Sequence, residues 1–375
     1  MTRPLRSLAT LIVALILAVT AVSLSAQRGI GAGLTNAPGL GQPIRVDCTQ
    51  GDSLQSALDA MPQSTSQITI EIHGFCQEQI TIERKVIIRG ADPQTDGITG
   101  PAIGNGTALV TVFGVNGFGP LGSEPVRLEH LTVKNSSGFG VSANATQLGL
   151  TDVVIRDNGN IGLGAFAASF VFATDLTVID NGRAGLFSRG SISCTDCTLN
   201  NNGPTGAPGL SADQAGKILF INSSLTGQAG IQSTSGADVT IIGGTISATT
   251  YAAMIQNGGH VFFQNDTQLT GSVACGTQGI LDSRRGAGTA GFTQLSNASG
   301  GNNVITNGCF FLAGPGTTTL TGSTFVTAGG WVGTEGPPAV TTVKFNALGC
   351  SSGGKVTGAT VMVNNVAGIP TSCIP

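Results

Sequence analysis

The stretch Asp152–Leu163 reads "DVVIRDNGNIGL", and 23 residues later Asp175–Leu186 reads "DLTVIDNGRAGL". Both phrases run from an aspartate through a short apolar segment to Asp-Asn-Gly and end on Gly-Leu. Looser copies lie on either side. The last apolar residue of each copy falls at Val133, Ile155, Val178, Leu199, Leu225, Ile246 and Leu269, at intervals of 22, 23, 21, 26, 21 and 23 residues. A period of this length marks a repeat architecture, in which a unit buries its apolar face only by stacking on its neighbours.

Inside one period the apolar residues come in short alternating runs, Phe170 and Phe172, then Leu176 and Val178, then Leu186 after a glycine. Runs of three to five residues with period two are strands, and the Asn, Asp and Gly between them are turns. With 57 glycines in 375 residues, helices are poorly supported within the repeats. The fold expected is therefore all-β: a right-handed parallel β-helix with three short strands per coil and a coil spacing of about 4.8 Å. A leucine-rich repeat has a similar period, but its fixed leucine spacing is missing.

Two polar columns follow from the same alignment. Ser136, Asn158, Asn181, Asn202 and Gln228 fall three places after the marker and are expected to form a hydrogen-bonded ladder at a bend. The glycines that follow, Gly159, Gly182 and Gly203, suit a positive φ there. The second column, Asp152, Asp175, Asp196, Asn222 and Asp266, precedes strands and reads as turn chemistry.

The chain opens with Arg3 and Arg6 ahead of an apolar run from Leu8 to about Val22 and then small residues, the layout of a secretory signal peptide over residues 1–26. Residues 27–43 read as a flexible leader, 44–330 as the β-helix and 331–375 as a C-terminal cap. Within the second of these, residues 52–61, "DSLQSALDAM", form a helix that caps the first coil. Asp52 or Ser53 is its N-cap, and Leu54, Ala57, Leu58 and Met61 make its apolar face. Eight cysteines in an exported chain imply disulfides, expected between sequential neighbours: Cys48 with Cys76, Cys194 with Cys197, Cys275 with Cys309, and Cys350 with Cys373, the last tying the C-terminal cap. The Cys194–Cys197 spacing is also that of zinc knuckles and redox sites, but no second such pair or nearby histidine completes a metal set.

A formal charge of −3, with one tyrosine and one tryptophan, argues against nucleic acid as a partner. No later stretch is long and apolar enough to span a bilayer, so the mature chain is expected to be exported and soluble, in the periplasm, at the cell surface or outside the cell. It is read as a monomer.

The opening "VDCTQGDSLQSALDAM…ITIEIHGFCQEQITIERKVIIRG" (from Val46) and the coils after it resemble exported bacterial proteins of the pectin-lyase-like, right-handed parallel β-helix superfamily, over roughly residues 44–330. The resemblance implies the fold and leaves activity open, since that superfamily holds polysaccharide lyases, glycoside hydrolases, esterases and noncatalytic members. Polygalacturonase-like hydrolases carry Asn-Thr-Asp, Asp-Asp, Gly-His-Gly and Arg-Ile-Lys, and none occurs here. Pectin methylesterase-like motifs are also missing.

Pectate-lyase-like sites gather calcium-binding carboxylates and an arginine base on adjoining coils, and one column echoes this. Asn135, Asp157, Asp180 and Asn201 fall two places after the marker, which stacks two carboxylates on adjacent coils. At about 5 Å and an effective dielectric near 20 they repel by roughly 3 kcal/mol. Bound calcium, a shared proton, or pairing with Arg156 and Arg183 would each compensate. Asp157, Asp180, Arg156 and Arg183 are thus the candidate catalytic residues, and Asp157 and Asp180 the candidate calcium ligands; no other cofactor is implied. His130 and His260 show no carboxylate in register, and Glu124, Arg127 and Glu129 read as a solvated loop. The favoured function is noncatalytic binding of polysaccharide or cell-surface glycan through the long β face. The alternative is a polysaccharide lyase or glycoside hydrolase acting on an acidic polysaccharide near Asp157 and Asp180.

Overall fold

The computed structural model describes residues 42–62, 66–100, 106–115, 124–204, 206–264, 267–276 and 278–283, and beyond them the backbone of strands between residues 293 and 367. The signal segment, nearly all of the leader, Asp266, Cys309 and Cys373, and the side chain of Cys350 lie outside the described residues.

Each coil lays down three strands that pair in parallel with the coils before and after, so three sheets run the length of a parallel β-helix. One coil is Phe170–Thr174, Thr177–Ile179 and Leu186–Ser188; the next is Ser191–Thr195, Thr198–Asn202 and Pro208–Ala212. They pair Val171 with Ile192, Val178 with Leu199, and Leu186 with Leu210. The marker residues form one continuous column of the second sheet, Val133, Ile155, Val178, Leu199, Leu225, Ile246, Leu269, each in register with the next. All are fully buried. A buried side chain of this size contributes roughly 1.5–3 kcal/mol, so the stacked column is a large share of what holds the coils together. Parallel pairing continues past residue 330, with Trp331–Gly333, Thr341–Cys350, Lys355–Thr357 and Thr360–Val363 in the same ladders.

The bends explain the repeated phrase. Between the first and second sheets, His130, Asp152, Asp175, Asp196 and Asn222 have φ between 49° and 55°. Between the second and third, Asn135, Asp157, Asp180 and Asn201 have φ between 49° and 62°. Asn and Asp tolerate this left-handed region better than other side-chain-bearing residues, which is why both columns are rich in them. The glycines do something other than expected. Of the three, only Gly203 has positive φ. A Cβ on Gly182 would lie 2.4 Å from the carbonyl oxygen of Gly159, and one on Gly159 would lie 2.6 Å from that of Ser137. These glycines let adjacent coils close on one another.

The amide ladder forms, over three asparagines. Asn158 Nδ2 donates to Asn181 Oδ1 at 2.9 Å, and Asn181 Nδ2 donates to Asn202 Oδ1 at 2.8 Å. Each Oδ1 also accepts from a backbone N–H of the preceding coil, ending at Ser136. Gln228 does not join: the register shifts between Asn200 and Asn202, Gly227 takes the position opposite Asn202, and Gln228 is left exposed.

Helix α1, Leu54–Ala60, is capped by Ser53, whose Oγ accepts from the Ser56 N–H at 3.1 Å. The Glu78 carboxylate takes up two further amides of its first turn, those of Leu54 and Gln55. Leu54, Ala57, Leu58 and Met61 are buried against the first coils. The Cys48–Cys76 disulfide ties the residues just before α1 to the first coil, and Cys194–Cys197 spans the first bend of its own coil with both cysteines buried. Cys275 is also disulfide-bonded.

Asp96 shows how one carboxylate holds an irregular bend. It is 1% exposed, and its oxygens accept from the N–H groups of Gly74, Ala91 and Asp92 at 2.8, 2.8 and 3.2 Å. Burial alone pushes its pKa up, but the three amides, with His73 at 3.6 Å, outweigh it and hold the carboxyl below its ordinary value. A depressed folded pKa gives stability that is present above the unfolded value and lost as pH falls through the folded one. Stability of the wild type is therefore expected to drop in denaturant melts as pH falls below about 4, and Asp96→Asn is expected to be less stable at neutral pH with a shallower acid slope. Asn181→Ala leaves several buried partners unsatisfied and is expected to cost about 2–4 kcal/mol in chemical denaturation, with the exposed Asn200→Ala near neutral.

Candidate functional site

In the first sheet the alternation of each strand decides what faces solvent. Val171 and Ala173 point into the coil, so Phe170 and Phe172 point out. The same holds one and two coils on, where Ser191 and Ser193, then Lys217 and Leu219, face outward over buried Ile192, Cys194, Ile218 and Phe220. Parallel register lines these residues into columns. One runs Phe170, Ser191, Lys217, Asp238, His260, and its neighbour runs Phe172, Ser193, Leu219, Thr240, Phe262, Asp282.

All of them except the buried Asp282 line a surface concavity of about 560 Å³. Its apolar elements are Phe172, Leu219 and Phe262 along the middle and Phe170, 44% exposed, at one end. Serine and threonine hydroxyls alternate with them, and Lys217, Asp238 and His260 form one wall. His260 does have carboxylates in reach. Its Nδ1 lies 3.5 Å from Asp238, one coil before, and its Nε2 lies 3.7 Å from Asp282, one coil after. Its ring packs edge-on against Phe262, with centroids 6.1 Å apart.

Toward the N-terminus the same face becomes ionic. Arg45, Glu71, Arg89 and Glu129 share one register column. Arg45 lies 3.6 Å from Glu71, while Glu129, 3% exposed, is gripped by Arg89 and Arg127 at 2.6 Å each. The segment expected to be a solvated loop is thus partly the strand Val126–Lys134, and Glu124 is buried as well. A Cβ at Gly149 would lie 2.9 Å from Oε2 of Glu124, so this glycine makes room for the carboxylate.

The carboxylates singled out from the sequence sit elsewhere, at the bend between the second and third sheets. Asp157 Oδ2 accepts from Arg156 Nη1 at 3.1 Å, with both side chains nearly half exposed. Asp180 Oδ1 accepts from Asn201 Nδ2 at 2.6 Å. Arg156 is in register with Lys134; burial and the Arg156 charge press the Lys134 pKa down, and Asp157 opposes them. Arg183 lies past the bend, its amide bonded to the carbonyl of Asn160. His130, at the other bend, meets Asp152 at 2.8 Å, so it too has an in-register carboxylate. Among the described residues no group of three or more His, Cys, Asp or Glu is placed to hold a metal ion, and no helix is long and apolar enough to cross a membrane.

The groove was not legible as a site. The available signal was strands apolar on both alternations, such as "KILFI" at 217–221, where one set fills the core and the other is left outside.

A third patch lies on the third sheet. Phe139, Phe166 and Phe187 have centroids 5.7 and 5.6 Å apart, Arg189 lies over the Phe187 ring, and Phe113 is 55% exposed.

No protein-family model matches the chain, and no curated protein matches it. Among solved structures it is similar to ORF18 of Geobacillus virus E2, at 14% identity and a TM-score of 0.43, covering 85% of this chain and 60% of that one. It is similar to the tailspike protein gp49 of Acinetobacter baumannii bacteriophage Fri1, a capsular polysaccharide depolymerase, at 12% identity and a TM-score of 0.41, covering 84% and 62%. It is also similar to the A-module of the Azotobacter vinelandii mannuronan C-5 epimerase AlgE4, at 14% identity and a TM-score of 0.36, covering 82% and 91%. The chain spans about three fifths of the length of the first two. These likenesses assign no residue role to this chain.

Proposed function

We propose that this parallel β-helix is an exported glycan-binding protein whose binding surface is the outer face of the first sheet, over Phe170, Phe172, Leu219 and Phe262. The observation that carries the reading is the concavity itself, in which apolar rings alternate with Ser191, Ser193, Thr240 and His260 on successive coils. Sugars present apolar C–H faces and a rim of hydroxyls, and aromatic platforms interleaved with small polar groups match both. The coil spacing of about 4.8 Å is close to the length of one pyranose unit, so a polysaccharide laid along the axis meets a new coil at each sugar. Two intact disulfides support a working place in an oxidising compartment.

The second reading places lyase or hydrolase chemistry, with or without calcium, on Asp157 and Asp180. What favours it is their position at matching bends of adjacent coils. Against it stand their partners, Arg156 and Asn201, and their distance in the fold from the groove on the first sheet.

Phe172→Ala and Phe262→Ala are each expected to weaken polysaccharide binding about ten- to hundredfold in affinity electrophoresis, equivalent to roughly 1.4–2.7 kcal/mol, with Phe113→Ala on the third sheet as the unchanged control. Retention of full affinity by both groove variants would sink the assignment. The Asp157→Asn, Asp180→Asn double variant is expected to bind as the wild type does. Depolymerisation of an acidic polysaccharide by the wild type that disappears in this variant would establish the enzymatic reading instead.

A further inference from the structure

We infer that the groove selects uncharged polysaccharide and discriminates against polyuronates and other polyanionic glycans, an inference that rests on the glycan-binding reading above. The sign of the ligand follows from how charge is disposed along the first sheet's outer face. A surface that takes up a polyanion needs cations whose own counter-charges are not already in place. Here the described cations of this face have carboxylates beside them. Arg45 lies against Glu71, and Arg89 and Arg127 are both committed to the buried Glu129. Lys217, the cation that lines the groove, stands directly opposite Asp238 in register on the next coil.

Asp238, in contrast, reaches the ligand. Asp238 lines the groove with its side chain 49% exposed, and it faces Lys217 on one side and His260 on the other. Asp282, one coil beyond Phe262, is buried and acts from beneath, on the far side of His260. A carboxylate at the rim accepts hydrogen bonds from a pair of neighbouring sugar hydroxyls, and such charge-assisted bonds are stronger than neutral ones. A uronate at the same position brings a second negative charge to within about one coil spacing, where like charges repel, and it offers fewer hydroxyls to donate. Its one route to a favourable contact is Lys217, which stands across from Asp238 on the preceding coil. His260, flanked by Asp238 and Asp282, is screened from an anionic ligand in the same way.

The full-length mature protein is tested against matched pairs of polymers, glucan with glucuronan, galactan with galacturonan and mannan with mannuronan, each pair differing at C6. Dissociation constants are measured at low and at moderate salt. The expected result is that a neutral member binds and its C6-oxidised partner binds at least about tenfold more weakly, with the gap narrowing as salt rises. Asp238→Asn is expected to narrow the gap and Lys217→Gln to widen it; both side chains are on the surface, so neither variant disturbs the core. An oxidised polymer that binds as tightly as its neutral partner, or a gap unmoved by Asp238→Asn, overturns the charge selection while leaving glycan binding in place. If no polymer of either kind binds, the glycan-binding reading falls, and this inference falls with it.

Discussion

Parallel backbone pairing from coil to coil is the constraint on which everything else depends. Once each strand is hydrogen-bonded to the equivalent strand of the next coil, equivalent residues are forced into columns about 4.8 Å apart. Whatever a column holds, it holds repeatedly. An apolar column becomes a continuous core, as from Val133 to Leu269. An amide column becomes a ladder, as from Asn158 to Asn202. A column at a bend must tolerate the left-handed backbone at every level, which the Asp and Asn residues of both bends do.

The same constraint amplifies small departures. A register shift at Asn200/Asn202 ends the amide ladder and puts Gln228 in solvent. Gly159 and Gly182 act as spacers where neighbouring coils touch, a role that a glycine count alone does not distinguish from a turn. Buried ionic groups appear where the regular pattern is interrupted. Asp96 collects the amides of an irregular bend between coils, and Glu129 holds Arg89 and Arg127 near the start of the strand Val126–Lys134.

The outer faces carry what differs from coil to coil. The first sheet changes along its length from an arginine–glutamate column to a groove of phenylalanine, leucine and hydroxyl groups walled by Lys217, Asp238 and His260. Those three residues come from three coils and are 21 and 22 residues apart in sequence, yet they are neighbours in space. The carboxylates Asp157 and Asp180 fall inside the most regular part of the repeat. Regularity is the mark of architecture, and both are also bend residues with local partners.

Much of the architecture could therefore be read from the chain itself. The period, the strand-and-bend grammar, the inward column, the first asparagines of the ladder, helix α1 and the pairings Cys48–Cys76 and Cys194–Cys197 all depend on short-range patterns or on a repeat interval, and these are written linearly. The groove, the histidine–carboxylate contacts of His130 and His260, and the burial of Glu124 and Glu129 were decided only in three dimensions. They depend on which of two apolar alternations turns inward and on which side chains of separate coils share a column. That choice is made by the packing of the whole coil, where Val171 and Ala173 fit inside and leave Phe170 and Phe172 facing solvent.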